Sequence, residues 1–279
     1  MTEARFYKTT EDGMECLLCP HHCRIREGGR GLCRSRECRE GRLYALSYGR
    51  PCALAVDPVE KKPLNHFLPG TRCLSLSCTG CNLSCRWCQN SDISQVSPEA
   101  AESSFVTPEQ MVGICLQRGL PSVAYTYTEP FTWWEYMHDI ASLAHQAGLK
   151  NILVSAGYGE KEPLKEILPF IDAANIDIKA MDEEVCRKYC GASPAPVLEN
   201  ILSMREAGVH LELTNLLVTG VNDSEKQIVA LCAWMADNNL HFFPRYRFTG
   251  AGPTPKATLL LARETAMHCG IKTVHLGNI

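Results

Sequence analysis

The sequence lacks any long apolar run. No stretch of about 18 apolar residues occurs, and the first ten residues, MTEARFYKTT, contain no apolar core of the kind found in signal peptides. We therefore expect a cytoplasmic protein, without a membrane span, in which thiols stay reduced. An excess of charge of one sign is also lacking, because 28 Lys and Arg stand against 31 Asp and Glu. This balance argues against a nucleic-acid groove or a membrane-binding patch.

Cysteine, in contrast, is abundant, with 16 among 279 residues. A chain of this length can bury a core without disulfides, so clustered cysteines in a reducing compartment indicate metal ligands or catalytic thiols. Two clusters are present, at residues 16–38 and 73–88. The other cysteines are scattered, and we expect them to be core or surface thiols, because free cysteine packs as a small hydrophobe. These are Cys52, Cys115, Cys186, Cys190, Cys232 and Cys269.

The pattern of the chain changes near residue 70. Residues 1–70 show little periodicity and predict a small, irregular, Cys-rich module that is held together by bound metal. Residues 71–279 alternate predicted strands with helices, which indicates parallel βα units of the α/β class. Six or seven units favour a partial (βα)6-type TIM barrel over a full eightfold barrel. The predicted strands are 73–77, 122–128, 151–155, 175–179, 209–218, 241–248 and 272–276, and the helices are 107–119, 131–147, 161–170, 196–207, 224–238 and 257–269.

A C-x3-C-x2-C motif, formed by Cys81, Cys85 and Cys88, follows the first predicted strand. Barrels of this kind carry their chemistry at the C-terminal ends of the strands. Three thiolates can bind three irons of a [4Fe-4S] cluster and leave the fourth iron without a protein ligand. A structural zinc site needs four ligands, usually in C-x2-C pairs, so zinc fits this loop poorly even though Cys78 could pair with Cys81.

This motif, with Trp87 in its aromatic position, resembles that of the radical S-adenosylmethionine (SAM) superfamily. Further segments resemble the radical SAM enzyme of the AmmeMemoRadiSam system, a family similar to pyruvate formate-lyase activating enzymes. They are CPHHC (19–23), YGR (48–50), DPVEKKPLNHF (57–67), TGCNLSCRWCQN (79–90), YTYTEP (125–130), NIDIK (175–179), CGASPAPVLENI (190–201), GVND (220–223) and LGN (276–278). Such relatives continue past LGN with a cysteine-containing tail, so this sequence is either a short member or a truncated one.

The resemblance implies a cluster whose open iron chelates the amino and carboxylate groups of SAM. Reduction then cleaves a C–S bond and gives methionine and a 5′-deoxyadenosyl radical, which abstracts hydrogen from a substrate. Cys81, Cys85 and Cys88 are thus the implied catalytic ligands of a SAM-dependent iron–sulfur oxidoreductase. The implied partners are a flavodoxin-like or ferredoxin-like electron donor, an unknown small-molecule or protein substrate, and AMMECR1-like and Memo-like proteins.

Polar residues after the next two strands are candidates for binding SAM. Glu129 stands where superfamily members carry Gly-Gly-Glu, and the resemblance implies that it accepts a hydrogen bond from the SAM ammonium. The alternative is a carboxylate favoured by a nearby helix start. Related enzymes have Asn where Ala156 stands, whereas Gly157 permits close approach of the backbone.

The fourth strand places Asp177 and Lys179 on one face, since they are two residues apart. Lys179 is predicted to pair with the SAM carboxylate while Asp177 holds Lys179 or a cation; a salt-bridged strand end is the alternative. Thr214 and Asn215 are polar residues in an apolar run and are candidates for contact with the ribose or substrate. His241 falls in a region that contacts adenosine in relatives, with a structural histidine as the alternative.

The N-terminal cysteines offer a complete ligand set. Four thiolates, from Cys16, Cys19, Cys23 and Cys33, would close a second metal site, either structural Zn²⁺ or an auxiliary [4Fe-4S] cluster. Their spacing does not decide between the two metals, and unligated thiols are a third possibility. His21, His22 and Cys38 are spare donors.

Three functional hypotheses remain open. The first is a radical SAM enzyme that acts on a small molecule or a protein residue, and the second is an activase that abstracts hydrogen from a glycine of a glycyl radical enzyme. Residues 89–121 contain only Cys115 and so lack the ferredoxin-like insertion common in activases, which disfavours the second hypothesis. The third, a non-enzymatic Cys-rich metal-binding module, does not explain why polar residues recur after successive strands.

Overall fold

The computed structural model describes residues 1–240, the backbone of residues 242–244, and residues 254–276. Its N-terminal part is more regular than the sequence pattern predicts. Six short strands occur there: β1 (Thr2–Glu3), β2 (Tyr7–Thr10), β3 (Gly13–Cys16), β4 (Arg24–Ile25), β5 (Arg36–Arg39) and β6 (Arg42–Ala45). They form two antiparallel sheets, with the orders β1–β6–β5 and β2–β3–β4. Strands this short carry too little alternation to be recognised from sequence.

The main sheet confirms the predicted partial barrel. Its strands are β7 (Pro51–Pro58), β8 (Arg72–Cys78), β9 (Ser122–Tyr125), β10 (Lys150–Ser155), β11 (Ala173–Asp177), β12 (His210–Asn215) and β13 (Phe242–Pro244). Strands β8 to β13 are parallel neighbours in chain order, and β7 pairs antiparallel with β8. Of the predicted strand at 272–276, the described residues show only a single β-bridge at Val274, and Val274 and Leu276 are partly buried.

Helices connect the parallel strands, as the alternation predicts. Those in the described residues are α1 (Ser91–Ser94), α2 (Pro108–Gln117), α3 (Trp134–Gln146), α4 (Lys161–Ile167), α5 (Glu183–Cys190), α6 (Pro194–Glu206), α7 (Glu225–Asp237) and α8 (Lys256–His268). The capping box predicted for α2 is confirmed, because Thr107 accepts from the Gln110 amide and the Gln110 side chain accepts from the Thr107 amide. Over the described part of the chain, no helix is both long enough and apolar enough to cross a membrane.

The connection between β7 and β8 fills the inner face of the sheet. Val59 and Leu64 from this connection pack with Cys73, Ala124, Ile152 and Ala173 of four successive strands. Side chains two positions further along the strands point to the same face, and two of them, Val154 and Asn175, line a cavity. The DPVEKKPLNHF segment is therefore the packing layer beneath that cavity.

A buried ion pair joins the N-terminal part to the barrel. Nη2 of Arg36, on β5, donates to both carboxylate oxygens of Glu135, on α3, at 2.7 and 2.9 Å. The side chains of both residues are almost fully buried. The guanidinium also donates through Nη1 to the Arg5 carbonyl at 3.0 Å. The division at residue 70 remains a prediction, and β7, which precedes it, pairs with the main sheet.

Candidate active site

A cavity of about 410 Å³ opens at the C-terminal ends of the parallel strands. Most of the predicted site residues meet there: Cys81, Cys85, Trp87, Cys88, Glu129, Asp177, Lys179 and Thr214 all line it. Gly157 and Asn215 are not in its lining. His241 lies outside the described residues. The polar positions after β9, β11 and β12 therefore converge on the cysteine motif, as the barrel topology predicts.

The loop that carries the three cysteines is fixed by backbone contacts on both sides of Cys85. The Ser84 amide donates to the Cys190 carbonyl at 2.8 Å, and the Arg86 amide donates to the Tyr189 carbonyl at 3.0 Å. Both acceptors lie at the end of α5, a helix that the sequence pattern did not reveal. Just before the loop, Gly80 has a φ of +101°, and a Cβ there would lie 2.1 Å from Ser35 Oγ. Only glycine fits this approach to the N-terminal part.

The arrangement of the thiols fits a cluster better than a single ion. Within the residues described, no group of three or more His, Cys, Asp or Glu side chains is placed to hold one metal ion. Yet the three motif thiols all line the same cavity. In a [4Fe-4S] cluster each thiolate binds a different iron, so its ligands stand further apart than the ligands of zinc.

Cys190, which the sequence left as a scattered thiol, lies beside the cluster loop. The pKa of Cys85 is lowered, mainly by a hydrogen bond with the Cys190 thiol. Burial of Cys85 opposes this lowering, and the positive charge of Lys179 adds to it. Cys190 is fully buried and ends α5. The only sequence signal for this contact was the CGASP segment that begins at Cys190.

Glu129 is buried at the edge of the cavity, and its carboxylate is held on both oxygens. Ser155 Oγ donates to Oε1 at 2.7 Å, and the Ala156 amide donates to Oε2 at 2.9 Å. The amide of Phe131 also donates to Oε1, so Glu129 caps the turn Pro130–Trp133, as its alternative interpretation predicted. Burial raises the pKa of Glu129, and the hydrogen bonds from Ser155 and Ala156 oppose that rise.

Asp177 and Lys179 form an ion pair on the cavity wall. The strand ends at Asp177, but both side chains reach the cavity, as their spacing predicted. Burial opposes the charged form of Lys179, but the charge of Asp177 outweighs it and raises the pKa of Lys179. The other carboxylate oxygen of Asp177, Oδ1, is buried and has no hydrogen-bond partner among the described residues. The wall thus presents an ammonium group and an unpaired acceptor to a ligand.

Thr214 and Asn215 at the end of β12 have different surroundings. Thr214 Oγ1 donates to Asn175 Oδ1 at 2.9 Å, and both residues line the cavity. The side chain of Asn215 instead donates to the Ile178 carbonyl at 2.6 Å and ties two strand ends together. Asn175 was missed, although it precedes Asp177 by two residues and the strand period predicts a shared face.

Gly157 has a packing role in the loop after β10. It has a φ of +69°, and a Cβ there would lie 3.0 Å from Ile176 Cγ2. Its carbonyl accepts from Asn200 Nδ2 at 2.9 Å. Gly157 therefore holds the loop that supplies the Ser155 and Ala156 donors to Glu129.

Two further residues of the cavity lining, Lys61 from the β7–β8 connection and Tyr127 after β9, share Asp57 as a partner. Lys61 lines the cavity, and its ammonium lies 2.8 Å from Asp57 Oδ1. Tyr127, also in the lining, donates its hydroxyl to Asp57 and has a φ of +68°. Lys61, Lys62 and Tyr127 together lower the pKa of Asp57 against the effect of its burial. No periodicity marked this set, because the contacts join distant segments.

The N-terminal cysteines are also brought together. Cys16, Cys19, Cys23 and Cys33 line one small cavity beside β3, together with Arg36 and Asn82. Burial raises the pKa of Cys19 to about 12 and that of Cys33 to about 11. The spare donors differ: His21 lines this cavity, whereas Cys38 does not and lies 3.7 Å from Glu27 Oε2.

Comparison with known proteins agrees with this geometry. The family model described as the Radical SAM superfamily matches residues 76–232. An uncharacterized protein of Methanocaldococcus jannaschii is 42% identical over 288 aligned residues, which cover 100% of this chain and 86% of that protein.

Activating enzymes give shorter or weaker matches. The 4-hydroxyphenylacetate decarboxylase activating enzyme of Clostridium scatologenes is 26% identical over 134 residues, covering 47% of this chain and 43% of that enzyme. The chain therefore matches less than half of that activating enzyme. A crystal structure of a domain of pyruvate-formate lyase-activating enzyme from Bacteroides vulgatus superposes with a TM-score of 0.51 at 22% identity. The superposition covers 56% of this chain and 99% of the Bacteroides vulgatus domain, and it shows that the two share a fold.

The family match includes the C-x3-C-x2-C loop and strands β9 to β12, which supply most of the cavity. Members of this family use a [4Fe-4S] cluster and SAM, and the open set of three thiols beside charged groups is suited to both. The chain belongs to the radical SAM superfamily and is a SAM-dependent iron–sulfur enzyme.

Proposed function

We propose that Cys81, Cys85 and Cys88 hold the catalytic cluster and that the adjoining cavity binds SAM and substrate together. The observation that carries this proposal is the shared lining: three thiols, the acid Glu129 and the base Lys179 border one space of about 410 Å³. The amino-acid part of SAM carries both an ammonium and a carboxylate. It therefore needs one group of each charge beside an iron that lacks a protein ligand.

A reduced cluster held by these thiols would donate one electron to bound SAM, so that its C–S bond would break into methionine and a 5′-deoxyadenosyl radical that takes a hydrogen atom from the substrate. The chain orients these groups. Lys179 pairs with the SAM carboxylate, and Asp177 holds Lys179 in place through one oxygen. Glu129, kept in position by Ser155 and Ala156, accepts from the SAM ammonium. Charge-assisted contacts of this kind fix orientation more firmly than neutral ones.

Other residues of the cavity lining offer further contacts to SAM or the substrate. Trp87 is buried, and its Nε1 has no hydrogen-bond partner among the described residues, so it can donate to a bound ligand. Thr214, with Asn175, offers polar atoms to the ribose or the substrate. Gly157 and Asn215 support SAM binding by holding the loops that contact it. A role for His241 in adenosine binding remains a prediction.

The substrate is a small molecule or a protein residue that reaches this cavity, and a flavodoxin-like or ferredoxin-like protein supplies the electron in the cytoplasm. AMMECR1-like and Memo-like proteins are the proposed partners. An alternative substrate is a glycine of a glycyl radical enzyme. The similarity to activating enzymes favours this alternative, and the lack of a ferredoxin-like insertion after Cys88 disfavours it.

Anaerobic reconstitution with iron and sulfide, followed by reduction in the presence of SAM, tests the proposal. We expect 5′-deoxyadenosine and methionine from the wild-type protein and none above background from Cys85→Ala. Cys232→Ala is the control, because Cys232 is a buried thiol that does not line the cavity. Absence of 5′-deoxyadenosine from the wild type, or its retention by Cys85→Ala, would contradict the proposal.

Isotope transfer separates the two substrate classes. The reduced protein and SAM are incubated with a candidate glycyl radical enzyme that contains deuterated glycine. Deuterium in the 5′-deoxyadenosine, with a glycyl radical signal in the EPR spectrum, would establish the activase. Turnover of SAM without either result, across the glycyl radical enzymes of the source organism, would favour the first class.

A further inference from the structure

We propose that the N-terminal cysteines Cys16, Cys19, Cys23 and Cys33 hold a second [4Fe-4S] cluster, fully ligated and seated against the back of the catalytic loop. The inference adds a metal centre to the proposed function and does not require that SAM be cleaved. It also decides between zinc and iron, which the spacing of these cysteines leaves open.

A strand end and two turns bring the four thiols to one place. Cys16 ends β3, and its amide donates to the Cys23 carbonyl at 2.9 Å. The turn between Cys19 and Cys23 is closed by the His22 amide, which donates to the Cys19 carbonyl at 3.1 Å. Cys33 lies in a second turn, in which the Arg34 amide donates to the Gly31 carbonyl at 2.9 Å. Such turns hold a ligand set with little regular structure.

The placement of the thiols argues against a single zinc ion. Four thiolates around zinc lie about 2.3 Å from the metal and therefore close to one another. The four thiols, although they line one cavity, form no group placed to hold a single ion within the residues that the structure describes. Cys81, Cys85 and Cys88 share this property, and their family uses a [4Fe-4S] cluster.

The surroundings suit a buried cluster. Apolar side chains line the same cavity, and of these Leu18, Ile25 and Phe131 are buried while Leu32 is exposed. The backbone amides of Leu18, His21 and Ser35 donate to the sulfurs of Cys16, Cys19 and Cys33, respectively. Hydrogen bonds to the sulfurs and exclusion of solvent are the features by which proteins set the potentials of iron–sulfur clusters.

One positive charge faces this ligand set. The Arg36 guanidinium is buried in the cavity wall and interacts electrostatically with Cys16 and Cys33. A buried cation beside the ligand set offsets part of the negative charge that four thiolates bring to a bound cluster. Glu135 holds Arg36 in this position.

The second site adjoins the first through one residue. Asn82 lines the N-terminal cavity, while its neighbour Cys81 lines the catalytic cavity. The His21 ring nitrogen Nε2 lies 2.7 Å from the Asn82 carbonyl oxygen. The two cavities therefore lie on opposite sides of the Cys81–Asn82 segment of the catalytic loop.

The test is metal and sulfide analysis of the full chain after anaerobic reconstitution with iron and sulfide, with zinc present at an equal concentration. We expect about eight irons and eight sulfides in the wild type, which would hold two clusters. We expect about four of each in Cys81→Ala/Cys85→Ala/Cys88→Ala, which would hold one. The triple variant should also show a reduced [4Fe-4S] signal by EPR. Binding of one zinc and no iron by this variant, or of neither metal, would overturn the inference.

A second pair of variants locates the cluster. Cys19→Ser/Cys33→Ser should lose about four irons relative to the wild type, whereas Cys38→Ser should keep about eight, since Cys38 does not line the cavity. The triple variant decides the matter even if the double variant does not fold, because its N-terminal ligands are intact. Equal iron content in the triple variant and the wild type would contradict the proposed catalytic loop and leave the second cluster standing.

Discussion

The two sets of cysteines differ in ligand number and in what surrounds them. The catalytic set, Cys81, Cys85 and Cys88, borders a cavity of about 410 Å³ with charged groups on its walls. The N-terminal set has one thiol more and lines a cavity of about 10 Å³ with mainly apolar walls. We therefore propose that the first set leaves room for a ligand at its metal and that the second completes the coordination of its own. Reactivity follows from the missing ligand, because a small molecule can bind only where the protein does not.

The largest effect should come from removing one ligand of each set. Cys88→Ala should reduce 5′-deoxyadenosine formation to the level of a control without enzyme, since a cluster with two thiolates is not retained. Cys23→Ala should lower the iron content by about four and leave SAM binding by the catalytic loop measurable. Equal effects of the two substitutions on SAM binding would break the comparison.

The next effect concerns the ion pair that holds the N-terminal set to the barrel. Arg36→Met leaves Glu135 buried and unpaired, which costs about 3–5 kcal/mol of unfolding free energy. Arg39→Met is the control, because Arg39 is half-exposed and its pair with Glu37 contributes about 1 kcal/mol or less. Anaerobic urea unfolding of the reconstituted variants measures both. Similar losses in the two variants would show that Arg36 does not couple the modules.

A smaller effect is expected in the catalytic cavity alone. Lys179→Met removes the ammonium that pairs with the SAM carboxylate and should raise the KM for SAM about tenfold to a hundredfold, as loss of a hydrogen bond to a charged group predicts. The iron content should not change. Lys161→Met is the control, since Lys161 is exposed and pairs with Glu199 on the surface. An unchanged KM in Lys179→Met would refute the assigned role.

The smallest effect should be electronic. Cys190→Ala removes a thiol beside Cys85 and should shift the midpoint potential of the catalytic cluster, because hydrogen bonds to the sulfurs tune such potentials. Iron content and SAM affinity should stay at wild-type values, and Cys190→Ser should restore most of the potential. Cys186→Ala is the control, since the Cys186 thiol contacts the Ala180 carbonyl instead. A spectroelectrochemical titration that gives one potential for all four proteins would exclude this role.

The sequence predicted the parts of the site that follow from local pattern and topology. Alternation of strands and helices placed the candidates at one end of the barrel, and the Asp177 and Lys179 spacing placed both on one wall. Thr107 and Gln110 marked the start of α2 because a capping box is a local interaction. Gly157 and Asn215 illustrate the limit: Gly157 suggested close approach of the backbone and Asn215 contact with the ribose or substrate, whereas neither lines the cavity and both are hydrogen-bonded within the protein.

Other features depend on contacts between distant segments and leave no periodic signal. Lys61 reaches the cavity because the β7–β8 connection packs on the inner face of the sheet. Cys190 reaches Cys85 because α5 docks its last carbonyls on the cluster loop. The predicted strand at 272–276 shows the converse, since its alternation is accompanied by only one β-bridge, at Val274, among the described residues. Pattern recognises an element, but packing decides where the element lies.

The central claim, that one cysteine set is a ligand short and the other complete, is tested most directly by EPR of the reduced protein with and without SAM. We predict that SAM changes the spectrum of the wild type, because it binds the open iron of the catalytic cluster. The spectrum of Cys81→Ala/Cys85→Ala/Cys88→Ala, which retains the N-terminal cluster alone, should be the same with and without SAM. A wild-type spectrum that is the same with and without SAM, or a triple-variant spectrum that SAM changes, would contradict the account.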